Sequence, residues 1–201
     1  MSADAPREAM QSIVDFILEL DKLKSVTRKI KPLGLDRYEN SAEHSWQLAL
    51  LAFSLAPYAD PGIDLNRTIK MLLAHDIGEI DTGDTMAFAE GGWEERKAAE
   101  WAAVQRIFGL LPPTQAAELL ALWQEFEDGT TAESRMANAV DRAMPVLQNL
   151  ANDGQSWREN GIGYERVVAR VREPIEAGCP ALWRHIDARL QEARQRGWFG
   201  I

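Results

Sequence analysis

The chain of 201 residues holds one cysteine, Cys179, and only three histidines. A lone cysteine can form no internal disulfide, and such thin use of thiols implies a reducing, intracellular home. Basic charge is also in short supply: 22 Lys and Arg stand against 31 Asp and Glu, a formal net charge of -9. A protein that coats a nucleic acid polymer or an anionic membrane needs a basic field, so both classes of partner are excluded. Long apolar runs are missing as well. The most apolar stretch, residues 48–59, is too short and too interrupted to span a bilayer, and residues 1–12 lack the basic start and apolar run of a signal peptide. There is no repeat, no low-complexity segment and no period-two alternation. These absences predict a cytoplasmic, all-α protein with one domain over 1–201.

What is present is helical periodicity. Met10, Ile13, Val14, Ile17 and Leu18 mark one face of a first helix over Arg7 to Leu23. A Pro/Gly-containing loop follows in which Lys22, Lys24, Arg28, Lys29, Lys31 and Arg37 crowd together, read equally well as a solvated linker or an anion site. Ser41 is placed to cap a second helix to about Ala56, with Leu48, Leu51, Ala52 and Leu55 as its stripe. Asp64 caps a third through Ile69, Leu72 and Leu73. Glu79 to Gly92 reads as a loop. Fourth and fifth helices follow Glu94 and the Pro112-Pro113 break. Thr130 and Glu133 form a capping box for a sixth, with a kink expected at Pro145. Tyr164 to Ile175, bent or ended at Pro174, and a segment from Pro180 complete about eight helices.

Polar residues interrupt three of the inward stripes. Counting back four from Leu48 lands on His44; His75 lies four beyond Met71 and Asp76 four beyond Leu72; Asp141 borders the face of Ala137 and Met144. Each has a bland explanation: a core histidine satisfied by a carbonyl, or a salt bridge from Asp141 to Arg135 or Arg142. Four bland explanations at once are a poor account of buried polar groups, whereas one cation explains them all. Two imidazoles with two carboxylates suit Mn, Fe, Co, Ni, Zn or Mg and leave positions for water and substrate.

The order H…HD…D, with RYENSAEHS around His44, HDIGEIDTGD over residues 75–84 and Asp141 in a helical chain, resembles the HD-domain metal-dependent phosphohydrolases. More narrowly it is similar to their 5'-deoxynucleotidase branch, over roughly residues 15 to 150. The resemblance implies one divalent metal ion on His44, His75, Asp76 and Asp141, roles near the phosphate for Glu79 and Asp84, an arginine best matched by Arg28, and a homodimer. Metal-assisted attack of water on a nucleoside 5'-monophosphate then follows. Glu79 or Asp84 serves as acid or base, and Arg28, helped by Lys29 or Arg37, clamps the phosphate. The absence of histidine from Ile77 to Val140 argues against a two-iron oxygenase. Hydrolysis of another nucleotide (triphosphate, cyclic or alarmone) and non-catalytic metal or nucleotide binding are the alternatives. His185, among arginines, is read as structural or surface, and exposed tryptophans such as Trp46 or Trp183 fit a dimer.

Overall fold

The computed structural model describes residues 4–86, 88 and 91–200, so the extreme ends of the expected 1–201 domain and residues 87, 89 and 90 of the expected loop lie outside it. Ten α-helices are present among the described residues, eight of them ten residues or longer: α1 (Asp4–Leu20), α2 (Ser41–Ser54), α3 (Leu65–Ala74), α4 (Glu79–Thr82), α5 (Trp93–Phe108), α6 (Pro113–Asp128), α7 (Ala132–Ala151), α8 (Gln155–Glu159), α9 (Tyr164–Gly178) and α10 (Pro180–Gln195).

 The eight long rods are the expected number. The short α4 and α8, and 3-10 turns at Asp21–Ser25 and Ala56–Tyr58, were not expected. Only an isolated bridge between Thr27 and Asn40 has β geometry among these residues, and no helix is long and apolar enough to cross a membrane.

Capping chemistry fixes where the rods begin, in places one residue from expectation. α2 is capped by Asn40 rather than Ser41: the Asn40 side chain accepts from the Glu43 N–H and the Glu43 carboxylate accepts from the Asn40 N–H. Ser41 is thereby released for another partner. α7 is capped by Thr131 with Ser134, not by Thr130 with Glu133. The Glu133 carboxylate instead accepts from the Asp64 N–H at 2.9 Å, tying the start of α3 to the start of α7. Asp64 caps α3 as expected. α7 runs through Pro145 and α9 through Pro174, so neither proline ends its helix. The expected loop after Gly78 contains a single helical turn, α4.

α7 is the axis of the fold. It packs against α2, α3, α6, α9 and α10, and its Met136, Ala137, Val140 and Ala143 have no exposed surface. Burying each Met- or Val-sized side chain contributes about 1.5–3 kcal/mol. One continuous apolar cluster runs from Leu48 on α2 to Ala193 on α10, so the C-terminal helices share the core that holds α2, α3 and α7. The approach of α9 to α7 is very close at Gly178, where an added Cβ would stand 2.1 Å from the Arg135 carbonyl oxygen.

The first helix departs from its periodicity. Met10, Val14, Ile17 and Leu18, expected to pack inward, are exposed, and Phe16 is the residue of α1 that reaches the core, against Phe108. Trp46 is 62% exposed as anticipated, but Trp183 is only 6% exposed and belongs to the core. His185 is exposed, in keeping with a surface role.

Candidate metal centre and nucleotide site

The Asn40 cap sets the register of α2 so that its fourth residue, His44, is fully buried and faces α7. His75 is the C-cap of α3 and Asp76 follows it. Helix C-termini carry partial negative charge, so an acid there calls for a cation nearby. Asp141 comes from the middle of α7, three residues beyond Asn138.

Ligand atoms of His44, His75 and Asp141 all lie within 4.8 Å of one another, and all three residues are buried. His44 Nε2 is 3.1 Å and His75 Nε2 3.6 Å from the same oxygen, Asp141 Oδ1. The Nδ1–H of His75 donates to the Leu72 carbonyl at 2.9 Å, which leaves Nε2 as the nitrogen with a lone pair turned to the cluster. That atom is buried and has no hydrogen-bond partner. Phe126 packs on the ring, with centroids 4.9 Å apart, and Trp123 Nε1 donates to the His75 carbonyl. Asp76 Oδ1 lies 3.1 Å from His75 Nε2, while its Oδ2 accepts from Arg28 at 2.9 Å. An unpartnered imidazole nitrogen converging with a second imidazole and carboxylate oxygens fits a divalent cation, with Asp76 at the edge of the set.

Strong electrostatic coupling runs through the cluster. Burial opposes charge on His75, yet Asp76 and Asp141 overcome it and hold the imidazole well above its ordinary pKa. Burial likewise raises Asp141, but Arg142, His44 and His75 draw it well below the usual carboxylate range. Glu79 behaves oppositely: burial, then the charges of Asp76 and Asp84, push its pKa up to about 9. Ser41 Oγ donates to Glu79 Oε2 at 2.6 Å, the partnership that the shift of the cap to Asn40 makes possible. Asp84 is also raised, by burial first, and sits 3.6 Å from Arg28 Nη1.

The basic loop divides. Arg28 is held over the centre because residues on either side of the loop pair: Arg28 N–H donates to the Glu39 carbonyl, Glu39 N–H to Ile30 and Ser41 N–H to Val26. Lys29 lines the same cavity but is exposed, its ammonium 5.8 Å from the Tyr38 ring centroid. Arg37 is not brought to the site at all. It makes a two-toothed pair with Glu43 at 2.6 and 2.8 Å and so reinforces the α2 cap. Asp141 does have the expected arginine neighbour, Arg142, but at 3.8 Å and on the oxygen turned away from the histidines.

Glu39 is a residue that periodicity could not find, because it precedes the helix and has no face to count along. Its carboxylate is 2% exposed. Oε2 lies 3.3 Å from His44 Nδ1 and 3.6 Å from Arg28 Nε, and Oε1 accepts from Gln148 at 2.6 Å. A carboxylate behind a ligating imidazole fixes the ring and raises its basicity. Its signal was the acid beside the Asn40 cap. The centre opens into a cavity of about 490 Å³ whose far wall carries Trp93, Arg96, Arg142 and Arg170.

Comparison with known proteins follows the same lines. A family model described as HD domain matches residues 20–183, further than the expected 15 to 150 and into α10. The 5'-deoxynucleotidase HDDC2 of Xenopus laevis is 27% identical over 176 residues, 86% of each chain. The 5'-deoxynucleotidase hdd1 of Schizosaccharomyces pombe is 28% identical over 196 residues, 94% of each. A crystal structure of a protein described as a predicted metal-dependent phosphohydrolase, from Magnetospirillum magnetotacticum MS-1, matches with a TM-score of 0.92 at 41% identity over 98% of both chains.

Proposed function

The chain belongs to the HD-domain family, and from that premise we propose that it is a metal-dependent phosphohydrolase that removes the 5'-phosphate of (deoxy)ribonucleoside monophosphates. The observation that carries this reading is the convergence of His44, His75 and Asp141, of which His75 and Asp141 line the same cavity as the half-buried Glu79. The names of the X. laevis and S. pombe relatives support it.

In this reading His44, His75, Asp76 and Asp141 hold one divalent ion, chosen from Mn, Co, Fe, Ni, Zn and Mg by cellular supply as well as by donor set. The bound ion lowers the pKa of a water and neutralises phosphate oxygens. Glu79, whose pKa burial and the charges of Asp76 and Asp84 push up to about 9, is placed to protonate the leaving 5'-oxygen or to orient the attacking water, and Ser41 donates to its Oε2. Arg28 turns its guanidinium toward the phosphate, and Asp76, Asp84 and Glu39 hold it in place meanwhile. Asp84 positions Arg28 and stays a second candidate for proton transfer. Lys29 adds charge at the cavity mouth, and Arg37, sequestered by Glu43, is left out of the phosphate site. The whole chain acts as one domain in the cytoplasm, with its one cysteine buried and free. Its exposed Met10, Ile17 and Leu18 on α1 and Trp46 and Phe53 on α2 suit a homodimer, because apolar surface of this kind is covered at an interface between copies.

The test is phosphate release from a panel of ribo- and deoxyribonucleoside 5'-monophosphates by chelator-stripped protein given Mn, Co, Mg or Zn. Activity is expected with at least one metal and none in EDTA. No release from any member with any metal would overturn the proposal.

A further inference from the structure

Two kinds of arginine line the cavity. Arg28 is surrounded by carboxylates, with Asp76, Asp84 and Glu39 each within 3.6 Å. Arg96 on α5, Arg142 on α7 and Arg170 on α9 come from three helices to line the same cavity and have fewer acids against them among the described residues. Arg96 Nη1 and Arg170 Nε are buried and have no hydrogen-bond partner among the described residues. Both guanidiniums instead flank one indole, with Arg96 Cζ 5.2 Å and Arg170 Cζ 5.6 Å from the Trp93 ring centroid. Among the described residues, Arg142 has the long 3.8 Å approach to Asp141 as its ion pair. The acids nearest this wall do not fill the gap: Glu127 pairs with Lys97, and burial, then the Glu127 charge, raise Glu100 to about 6.

Like charges gathered in a half-buried pocket repel, and unpaired buried N–H groups cost free energy, unless a bound anion satisfies both. Burial, then the nearby Arg142 charge, hold Arg170 below its ordinary pKa, and an anion placed there would oppose both effects. Planar guanidiniums match phosphate oxygens in pairs, and stacking on Trp93 fixes their planes beforehand. Asp141 gives the scale. Its Oδ1 faces His44 at 3.1 Å and its Oδ2 faces Arg142 at 3.8 Å, so one carboxylate touches both the metal set and the arginine wall. An anion on Arg142 would therefore lie next to the phosphate being cleaved, within the span of a single nucleotide.

We infer that Arg96, Arg142 and Arg170 form a second anion subsite, which takes a further phosphate group of the nucleotide substrate. The inference rests on the nucleotidase reading for the identity of that substrate. The shared chemistry is a nucleotide with a second phosphate, carried either on the 3'-hydroxyl or on the 5'-chain.

The experiment measures equilibrium binding, by calorimetry, of a deoxynucleoside 5'-monophosphate, the 3',5'-bisphosphate and the 5'-diphosphate to metal-loaded full-length Glu79→Gln protein. Phosphate release by the parent protein is followed alongside. One of the two doubly phosphorylated ligands is expected to bind about tenfold tighter than the monophosphate or better, and which of them does so locates the second phosphate. Arg170→Ala should abolish that ratio, Arg170→Lys should restore part of it, and Arg96→Ala, on a different helix, should move it in the same direction. Equal affinity for all three ligands, or a ratio that none of the variants moves, would overturn the subsite. If the parent protein hydrolyses none of them while the ratio still depends on Arg170, the hydrolase reading fails and the subsite stands. Turnover of the monophosphate without any ratio has the reverse meaning.

Discussion

The two walls of the cavity are built on opposite electrostatic plans. Around the Arg28 loop, the residues that follow α3 and the middle of α7, complementary groups stand about 3 Å apart: His44 with Asp141, His75 with Asp76, Arg28 with Asp76. On the wall formed by α5, α9 and the next residue of α7, cations face an indole and each other. The first wall is arranged to hold a cation, with its acids already drawn together by Arg28 and the imidazoles. The second is arranged for an anion. A substrate with a phosphate to lose bridges them, because it carries the charge that the arginines lack and the oxygens that a metal takes.

The comparison can be broken at the metal wall first. Asp141→Ala removes the oxygen on which both histidines converge, and turnover is expected to fall by about 10³-fold or more together with loss of the metal. Metal content after dialysis, alongside phosphate release, checks this; a variant that keeps its ion would contradict the ligand assignment. Glu79→Gln should leave the metal in place and slow turnover by about 10²–10⁴-fold. A normal rate there would remove Glu79 from proton transfer. Glu39→Gln weakens the support behind His44 Nδ1 and should cost about 10–100-fold in metal affinity. Titrating stripped protein with Co(II) and reading its visible absorption measures this directly, and Glu39→Asp should recover part of the loss.

Smaller effects sharpen the contrast. Glu79 has a native pKa of about 9 against an ordinary 4.5, so between those values the native state keeps a proton that the unfolded chain has released, and stability falls as pH rises. Raised His75 and Glu100 act with the same sign. The lowered Asp76 and Asp141 titrate below that window and do not oppose it. The melting temperature in EDTA is therefore expected to drop from about pH 5 to about pH 9, and a divalent metal should flatten the drop. A melting temperature that rises with pH in EDTA would refute this balance. Last, Gly178→Ala forces a methyl against the Arg135 carbonyl and Ala139 Cβ where α9 crosses α7. Calorimetric unfolding should show a loss of about 1–3 kcal/mol.

Much of the site could be read from spacing. His44 with Leu48, His75 with Met71 and Asp76 with Leu72 share helical faces, and a face that is apolar elsewhere along a rod must turn inward. Asp64 announced its helix because cap chemistry is local. What misled the reading was competition among neighbours. Thr130 and Thr131, or Asn40 and Ser41, could each cap a helix, and tertiary partners chose: Glu133 was drawn to Asp64 and Ser41 to Glu79. Arg37 had the right charge for a phosphate, but Glu43 lay closer. The α1 stripe had the right period for a core face, yet its Met10, Val14, Ile17 and Leu18 are exposed.

The sequence by itself determined the rods, their order and the inward set of two imidazoles and two carboxylates, because hydrogen bonds and burial along one helix depend on residues a few positions apart. Tertiary structure alone decided that Glu39 stands behind His44 and that Arg96, Arg142 and Arg170 share a wall. These groups lie on different elements, far apart along the chain. Only the packing of α9 on α7 and of the Arg28 loop over α2 brings their charges within reach of each other, and electrostatic partnership follows distance in space.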